Sequence, residues 1–215
     1  MTGCCARHGQ EEFFGEKTAA GDARKYRRKG PDPMARSLAR RAAASGGAEG
    51  ASVLEIGGGV GQVALELLKA GAASAEVVEL LPDYEPFVQE LASEAGVGGR
   101  MSFRTADLVA DPTAAAAVDL VVMNKVVCCT PDGVALAGVA ASLARRGLVL
   151  SFPRQVWWAR AGLGTVNLYL WLRRRRFRVF VHSQAAIEGA VEAHGLARVS
   201  EKNGPLFRIA AFERV

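Results

Sequence analysis

The sequence predicts an α/β fold, with a central, mostly parallel sheet, helices on both faces and a C-terminal antiparallel hairpin. Three observations carry that expectation. From Ser52 onward, short apolar runs of strand length alternate with helical stretches, the order that builds a parallel sheet covered on both sides. The first strand runs through a glycine-dense turn directly into a helical pattern at "VLEIGGGVGQ", Val53 to Gln62. The C-terminal stretch "ARVSEKNGPLFRIAAFERV" holds two strand-like runs around Asn203-Gly204, a hairpin signal weakened by Pro205. At 215 residues the chain suffices for one such domain with a substantial core.

In order along the chain, residues 1–33 read as a basic, partly flexible arm ending in "RRKGPDP", where Gly30, Pro31 and Pro33 punctuate the backbone. The main domain is expected over residues 34–215. Met34 to Ala44 fits a short helix, with Met34, Leu38 and Ala42 on one stripe. Strands are expected at Ser52–Ile56, Glu76–Leu80, Met101–Arg104, Asp119–Met123 and Leu148–Phe152, and helices at Val60–Ala70, Pro82–Gly96, Pro131–Ala144 and Gln184–His194. Pro82 and Pro131 suit a first helical turn, and Ser183 and Gly195 suit caps. Residues 153–182 are too long for an ordinary connection, and such segments often serve as lids, so this one is expected to cap the site.

Composition narrows the function classes. Half the residues are hydrophobic, which excludes a disordered chain, and the net charge is +5 with a pI near 9.3. The excess is local: Asp22 to Arg41 holds eight Lys/Arg against two Asp, and Arg173 to Arg178 holds five arginines. Such clusters are either solvated faces or sites for anionic partners. The N-terminus lacks the apolar core of a signal peptide, and no uninterrupted apolar run reaches the roughly eighteen residues a membrane span needs. The four cysteines form two adjacent pairs, Cys4-Cys5 and Cys128-Cys129, without the CxxC spacing of a zinc site. A cytoplasmic protein without a metal site is the expectation.

The glycine turn limits the ligand. A phosphate-binding Walker loop would end in GKS or GKT, whereas this one continues Gly61-Gln62-Val63. The dinucleotide pattern GxGxxG matches at Gly57 and Gly59 and fails at Gln62. What stands instead is an acid followed by spaced glycines: Glu55, then Gly57, Gly58, Gly59 and Gly61. A carboxylate there repels a pyrophosphate and suits a ligand bearing an ammonium and a sulfonium group. S-adenosylmethionine has that charge pattern and no phosphate.

"VLEIGGGVGQ" resembles the first motif of the class I S-adenosylmethionine-dependent methyltransferases, a Rossmann-like family. The resemblance implies that Gly57, Gly58, Gly59 and Gly61 lie against the methionine part and ribose of the cofactor, with Glu55 organising its amino-acid end. It continues at "VVELLPDY", where it places Glu79 on the ribose hydroxyls with Leu80 beside it, and at "FRTADL", where it places Asp107 near the adenine amino group with Leu108 alongside. "VDLVVMNKVVCC" is similar to the fourth strand of that family, whose end at Asn124 faces cofactor and substrate. Taken singly, Asp107 and Glu79 also suit helix caps. The series in order is far more specific than any member.

The acceptor is less constrained. Asn124-Lys125-Val126-Val127 lacks the prolines and aromatic residue of enzymes that methylate amino groups of nucleic-acid bases, and no RNA-binding module is present, so nucleic acid is disfavoured. The segment from Ser151 to Leu196 resembles, loosely, the magnesium-protoporphyrin O-methyltransferases. That resemblance implies a small acidic or aromatic, tetrapyrrole-like acceptor, bound by Arg154, Trp157 and Tyr169. A carboxylate acceptor needs no base, whereas a hydroxyl acceptor does, and His182 is the candidate. Three other readings remain open. The chain could methylate RNA or protein, could serve as a silent cofactor-binding module on an anionic partner, or, against Gln62 and Glu55, could be an NAD-dependent oxidoreductase. Cys4, Cys5, Cys128 and Cys129 together would suit a soft metal or metalloid acceptor, against the commoner reading of inert thiols. The aromatic residues bordering arginines in 153–182 also have the composition of a membrane-contact surface.

Overall fold

The structure is a computed structural model, and it describes residues 9–215. The expected α/β architecture is present. Seven strands form one sheet in the order β3-β2-β1-β4-β5-β7-β6. β1 (Ser52–Ile56), β2 (Ser74–Glu79), β3 (Met101–Thr105), β4 (Val118–Met123) and β5 (Ala144–Pro153) run parallel. The terminal pair, β6 (Leu196–Asn203) and β7 (Phe207–Arg214), is the expected antiparallel hairpin. Its second strand pairs with β5, leaving β6 at the edge. Burial explains the choice: Ile209, Ala210, Ala211 and Phe212 are enclosed, while β6 is exposed along nearly all its length.

The alternation of side chains along each strand divides the core in two. Val53 and Val122 face one layer, with α2 (Pro33–Gly46), α3 (Gln62–Lys69) and α4 (Glu85–Glu94). Leu54 and Val121 face the other, with α5 (Gly133–Leu143) and α7 (Gln184–Glu192). The expected strand and helix positions hold to within a few residues, with two exceptions. A single 3-10 turn at Pro82–Tyr84 precedes α4, and β5 starts at Ala144, where α5 ends.

Two segments of the domain plan carry structure that the sequence did not show. Within the supposed arm, α1 spans Glu16–Lys29. Its polar composition hides a stripe, Ala19, Ala23 and Tyr26 at i, i+4 and i+7, that is buried against the body. Tyr26 Oη donates to Glu66 on α3, and Arg27 reaches Glu90 and Glu94 on α4. Residues 153–182, expected to cap the site, comprise the end of β5, then α6 (Trp157–Leu172), then an extended return. Arg154 is held at the far hairpin, its backbone N–H on Leu206 O and its guanidinium on Gly204 O. The return segment comes back beside the chain after β4, with Phe180 N on Cys128 O.

Candidate functional site

Where the strand order reverses, between β1 and β4, the connections leave the sheet on opposite faces and open a crevice at the carboxyl ends of the strands. A cavity of about 330 Å³ lies there. Its floor is the turn after β1, with Gly57, Gly58 and Gly59; its sides are Glu79, Leu80, Asp107 and Leu108 from the ends of β2 and β3, and Asn124 from the end of β4. Eight of the ten residues expected to contact a cofactor therefore line one cavity.

Glu55 and Gly61 do not line it, and both serve the turn from beneath. Glu55 is fully buried and accepts hydrogen bonds from the backbone N–H groups of Val63 and Ala64, at 3.4 and 2.7 Å, at the start of α3. Burial is the main cause that pushes its carboxyl up to about 8, against those two donors. Gly58 must be glycine because a Cβ there would lie 2.7 Å from Glu55 Cγ. Gly61 caps α3 with φ +73°, a left-handed conformation that strains other residues, and a Cβ there would collide with Met101.

Glu79 projects into the cavity. Its Oε1 accepts from Gly59 N at 2.7 Å and its Oε2 from Leu80 N at 3.0 Å, so one carboxylate ties the glycine turn to the end of β2. Burial raises its pKa above the ordinary range despite those donors. Asp107 uses Oδ1 to accept from Val109 N and Ala110 N, so it is both a turn cap and a cavity residue. Asn124 Oδ1 accepts from Ser151 Oγ, whose oxygen in turn accepts from Lys125 N.

The remaining wall comes from residues the sequence did not single out. Gln10, Phe14, Asp22 and Lys25 of the N-terminal segment face the cavity, and so do Asp32, Gln62, Tyr84, Lys125 and Thr130. The only available signal was the buried stripe of α1 and an acid, Asp22, placed within a basic run. Asp32 caps α2 through Met34 N and Ala35 N and pairs with Lys125 Nζ at 3.0 Å. Burial pulls its pKa up, but the backbone donors and Lys125 outweigh it and hold the carboxyl below its ordinary value. Asp22 is raised, first by burial, with Asp32 adding to it.

The residues expected to bind or activate the acceptor lie elsewhere. His182 does not line the cavity. Its Nε2 donates to Thr130 O at 2.9 Å, and its ring packs on Gly133 and Phe180, an arrangement that fastens the return segment to the chain after β4. Trp157 and Tyr169 are 80% and 59% exposed on α6, and Arg154 is at the hairpin. Cys129 does line the cavity, and both Cys128 and Cys129 place Sγ 3.3 Å from Lys125 O. The neighbouring thiol and burial hold Cys129 protonated. Cys4 and Cys5 lie outside the described residues, and no metal-holding cluster occurs among those described.

The cavity's charge tests the ligand. Four carboxylates, Asp22, Asp32, Glu79 and Asp107, face two lysines, one of which is paired with Asp32. That balance opposes a pyrophosphate and suits a cationic ligand. The exposed backbone of Gly57–Gly59 permits close approach, and the two acids at the ends of β2 and β3 suit hydroxyl and amino donors. S-adenosylmethionine, with a sulfonium and an ammonium, fits this set.

Comparisons with known proteins agree with the geometry. The profile of a family described as "Methyltransferase domain" matches residues 26–201. No curated protein matches the chain by sequence. Among solved structures, magnesium protoporphyrin IX methyltransferase from Synechocystis with bound SAH superposes with a TM-score of 0.68 at 24% identity, covering 84% of this chain and 81% of that one. An O-methyltransferase family protein from Burkholderia thailandensis gives 0.70 at 17% identity, covering 94% and 63%. Geranyl diphosphate C-methyltransferase from Streptomyces coelicolor, in complex with Mg2+, geranyl diphosphate and S-adenosyl-L-homocysteine, gives 0.64 at 12% identity, covering 84% and 77%. With the family profile spanning most of its length and its glycine turn and acids gathered in one crevice, the chain belongs to the class I S-adenosylmethionine-dependent methyltransferases.

Proposed function

We propose that this protein transfers the methyl group of S-adenosylmethionine to a small-molecule acceptor, and that the acceptor enters beside α1. The observation that carries the reading is the carboxylate-rich cavity at the strand-order reversal, with Glu79 tied to the glycine turn and Asp107 facing it. Glu79 would hold the ribose hydroxyls, Asp107 and Leu108 the adenine, and Gly57–Gly59 the chain that bears the sulfonium. When bound, the cofactor supplies an electrophilic methyl group. The protein's own task is then to align the acceptor and exclude water. Phe14 and Tyr84 offer apolar surface, and Lys25 offers a charge for an acidic group.

A carboxylate acceptor needs no proton removed. For a hydroxyl acceptor, Asp22 replaces His182 as our candidate base, because it faces the cavity and burial raises its pKa. Oxygen methylation of an acidic or aromatic compound remains our reading. The solved structures that resemble the chain include a magnesium protoporphyrin IX methyltransferase and methyltransferases in complex with apigenin or geranyl diphosphate, which supports a small-molecule acceptor of apolar body. A tetrapyrrole is the first acceptor to test, although Arg154, Trp157 and Tyr169 do not line the cavity.

The test is incubation with methyl-labelled S-adenosylmethionine and a cell extract. Label among soluble or solvent-extractable compounds supports the proposal, and label only in acid-precipitable material overturns it in favour of RNA or protein. With the acceptor identified as a hydroxyl compound, Asp22→Asn should lower kcat by roughly 100-fold or more while His182→Ala leaves the pH–rate profile in place. The reverse pattern would return the role of base to His182.

A further inference from the structure

We propose that α6 and the arginines after it form a surface that docks on an anionic lipid membrane, a role independent of which acceptor is methylated. Only a narrow stripe of α6 meets the protein: Ala159 and Leu170 are buried, and Leu163 and Asn167 between them are half-buried, at i, i+4, i+8 and i+11. The opposite face is apolar and open. Trp157, Leu168 and Leu172 lie along its centre, 80%, 55% and 64% exposed, with Trp171 and Tyr169 on its flanks. A soluble surface seldom shows so many large apolar side chains together. At 16 residues the helix is about 24 Å long, and no described helix is long and apolar enough to cross a membrane. It has the dimensions to lie in an interface.

Charge selects the occupant. Between Asp132 and Glu188 the chain has nine arginines and not one Asp or Glu. Four of those arginines, Arg173–Arg176, follow the helix directly and are exposed, and Arg173 stacks over Tyr169 at 5.9 Å. Among the described residues only Arg176 of the four has a carboxylate partner, Glu12, at 3.9 Å. Aromatic rings for the headgroup layer beside uncompensated guanidinium groups match a negatively charged bilayer, where each such charge adds attraction. The surface also adjoins the cavity. Phe177, just beyond the arginines, stacks on Phe13 and meets Phe14 edge-on, and Phe14 lines the cavity. A docked α6 would therefore set the cavity wall close to the lipid, where an apolar acceptor concentrates.

The test is co-sedimentation of the full chain with vesicles of phosphatidylcholine alone and of phosphatidylcholine with phosphatidylglycerol. Expected are binding to the anionic vesicles, a blue shift of tryptophan emission, and weakening by salt. Arg174→Gln with Arg175→Gln should weaken binding roughly 30-fold. Trp157→Ala with Leu168→Ser should abolish the binding while melting temperature and S-adenosylhomocysteine binding hold, since these side chains are exposed. No vesicle binding by the parent chain, or equal binding to neutral vesicles, overturns the proposal. So does a parent chain that is dimeric in solution, stays off vesicles and becomes monomeric with the same tryptophan and leucine substitutions, because α6 would then be a self-association face.

Discussion

Glu55 and Glu79 stand near the ends of neighbouring strands, and their surroundings give them different tasks. Glu55 is sealed under the glycine turn, where burial pushes it up to about 8. The folded protein thus keeps a proton that the unfolded chain releases around its ordinary value of 4.5, so stability falls as pH rises from there through about 8 and then levels. Glu55→Gln carries no such proton. Its melting temperature relative to the parent should climb between about pH 5 and about pH 9, by an equivalent of at most about 5 kcal/mol. A difference that stays flat across that range would remove this role. Glu79 instead faces the cavity while accepting from Gly59 and Leu80. Glu79→Gln should weaken S-adenosylhomocysteine binding by roughly 10- to 100-fold in calorimetry, the loss expected for charged hydrogen bonds. Unchanged affinity would mean that the ribose is held elsewhere.

The elements differ in how openly their residues announce them. Strands β1 to β5 were legible because short, largely apolar runs bounded by turns recur between helical stretches, clearest at Leu120–Met123, and the glycine turn marks where the first ends. Helix α1 was not, because its contacts are made by two alanines and a tyrosine within a run dominated by charge. Small residues give a weak periodic signal, yet they let a helix approach closely. Helix α2 was expected from its apolar stripe, but the cap at Asp32 and its pairing with Lys125 emerge only from the structure. Asp32→Ala should lower unfolding free energy by about 1–2 kcal/mol in denaturant titration, from the lost cap and the half-exposed pair with Lys125. Asp32→Asn should retain most of it. The carboxylate's share is present at neutral pH and fades as pH falls through its value below 3.8. Equal losses in both variants would assign the effect to the ion pair.

For the molecule as a whole, the cavity joins elements distant in sequence, from Gln10 to Leu136. A ligand bound there holds the N-terminal segment, the glycine turn and the end of β4 together and stabilises only the folded state. S-adenosylhomocysteine at about 100 times its Kd should add about 2.7 kcal/mol, a rise in Tm of roughly 5–10 °C for a domain of this size. NADH at the same concentration should leave Tm in place, given the carboxylates that line the site. The opposite result would overturn the assignment of the cofactor.

The sequence by itself determined the parallel sheet, the hairpin and the cofactor side of the cavity. Those depend on short-range facts: side-chain period, the backbone freedom of Gly57–Gly61, and acids placed just after strands. Only the tertiary structure decided that β7 lies inside β6, that Glu55 supports the turn from below, and that α1 contributes Asp22 and Lys25 to the cavity lining. Each of those outcomes is set by which surfaces are buried against each other. His182, Trp157 and Tyr169 have the chemistry of a site but do not line the cavity: His182 is engaged by Thr130 O, and Trp157 and Tyr169 are exposed on α6.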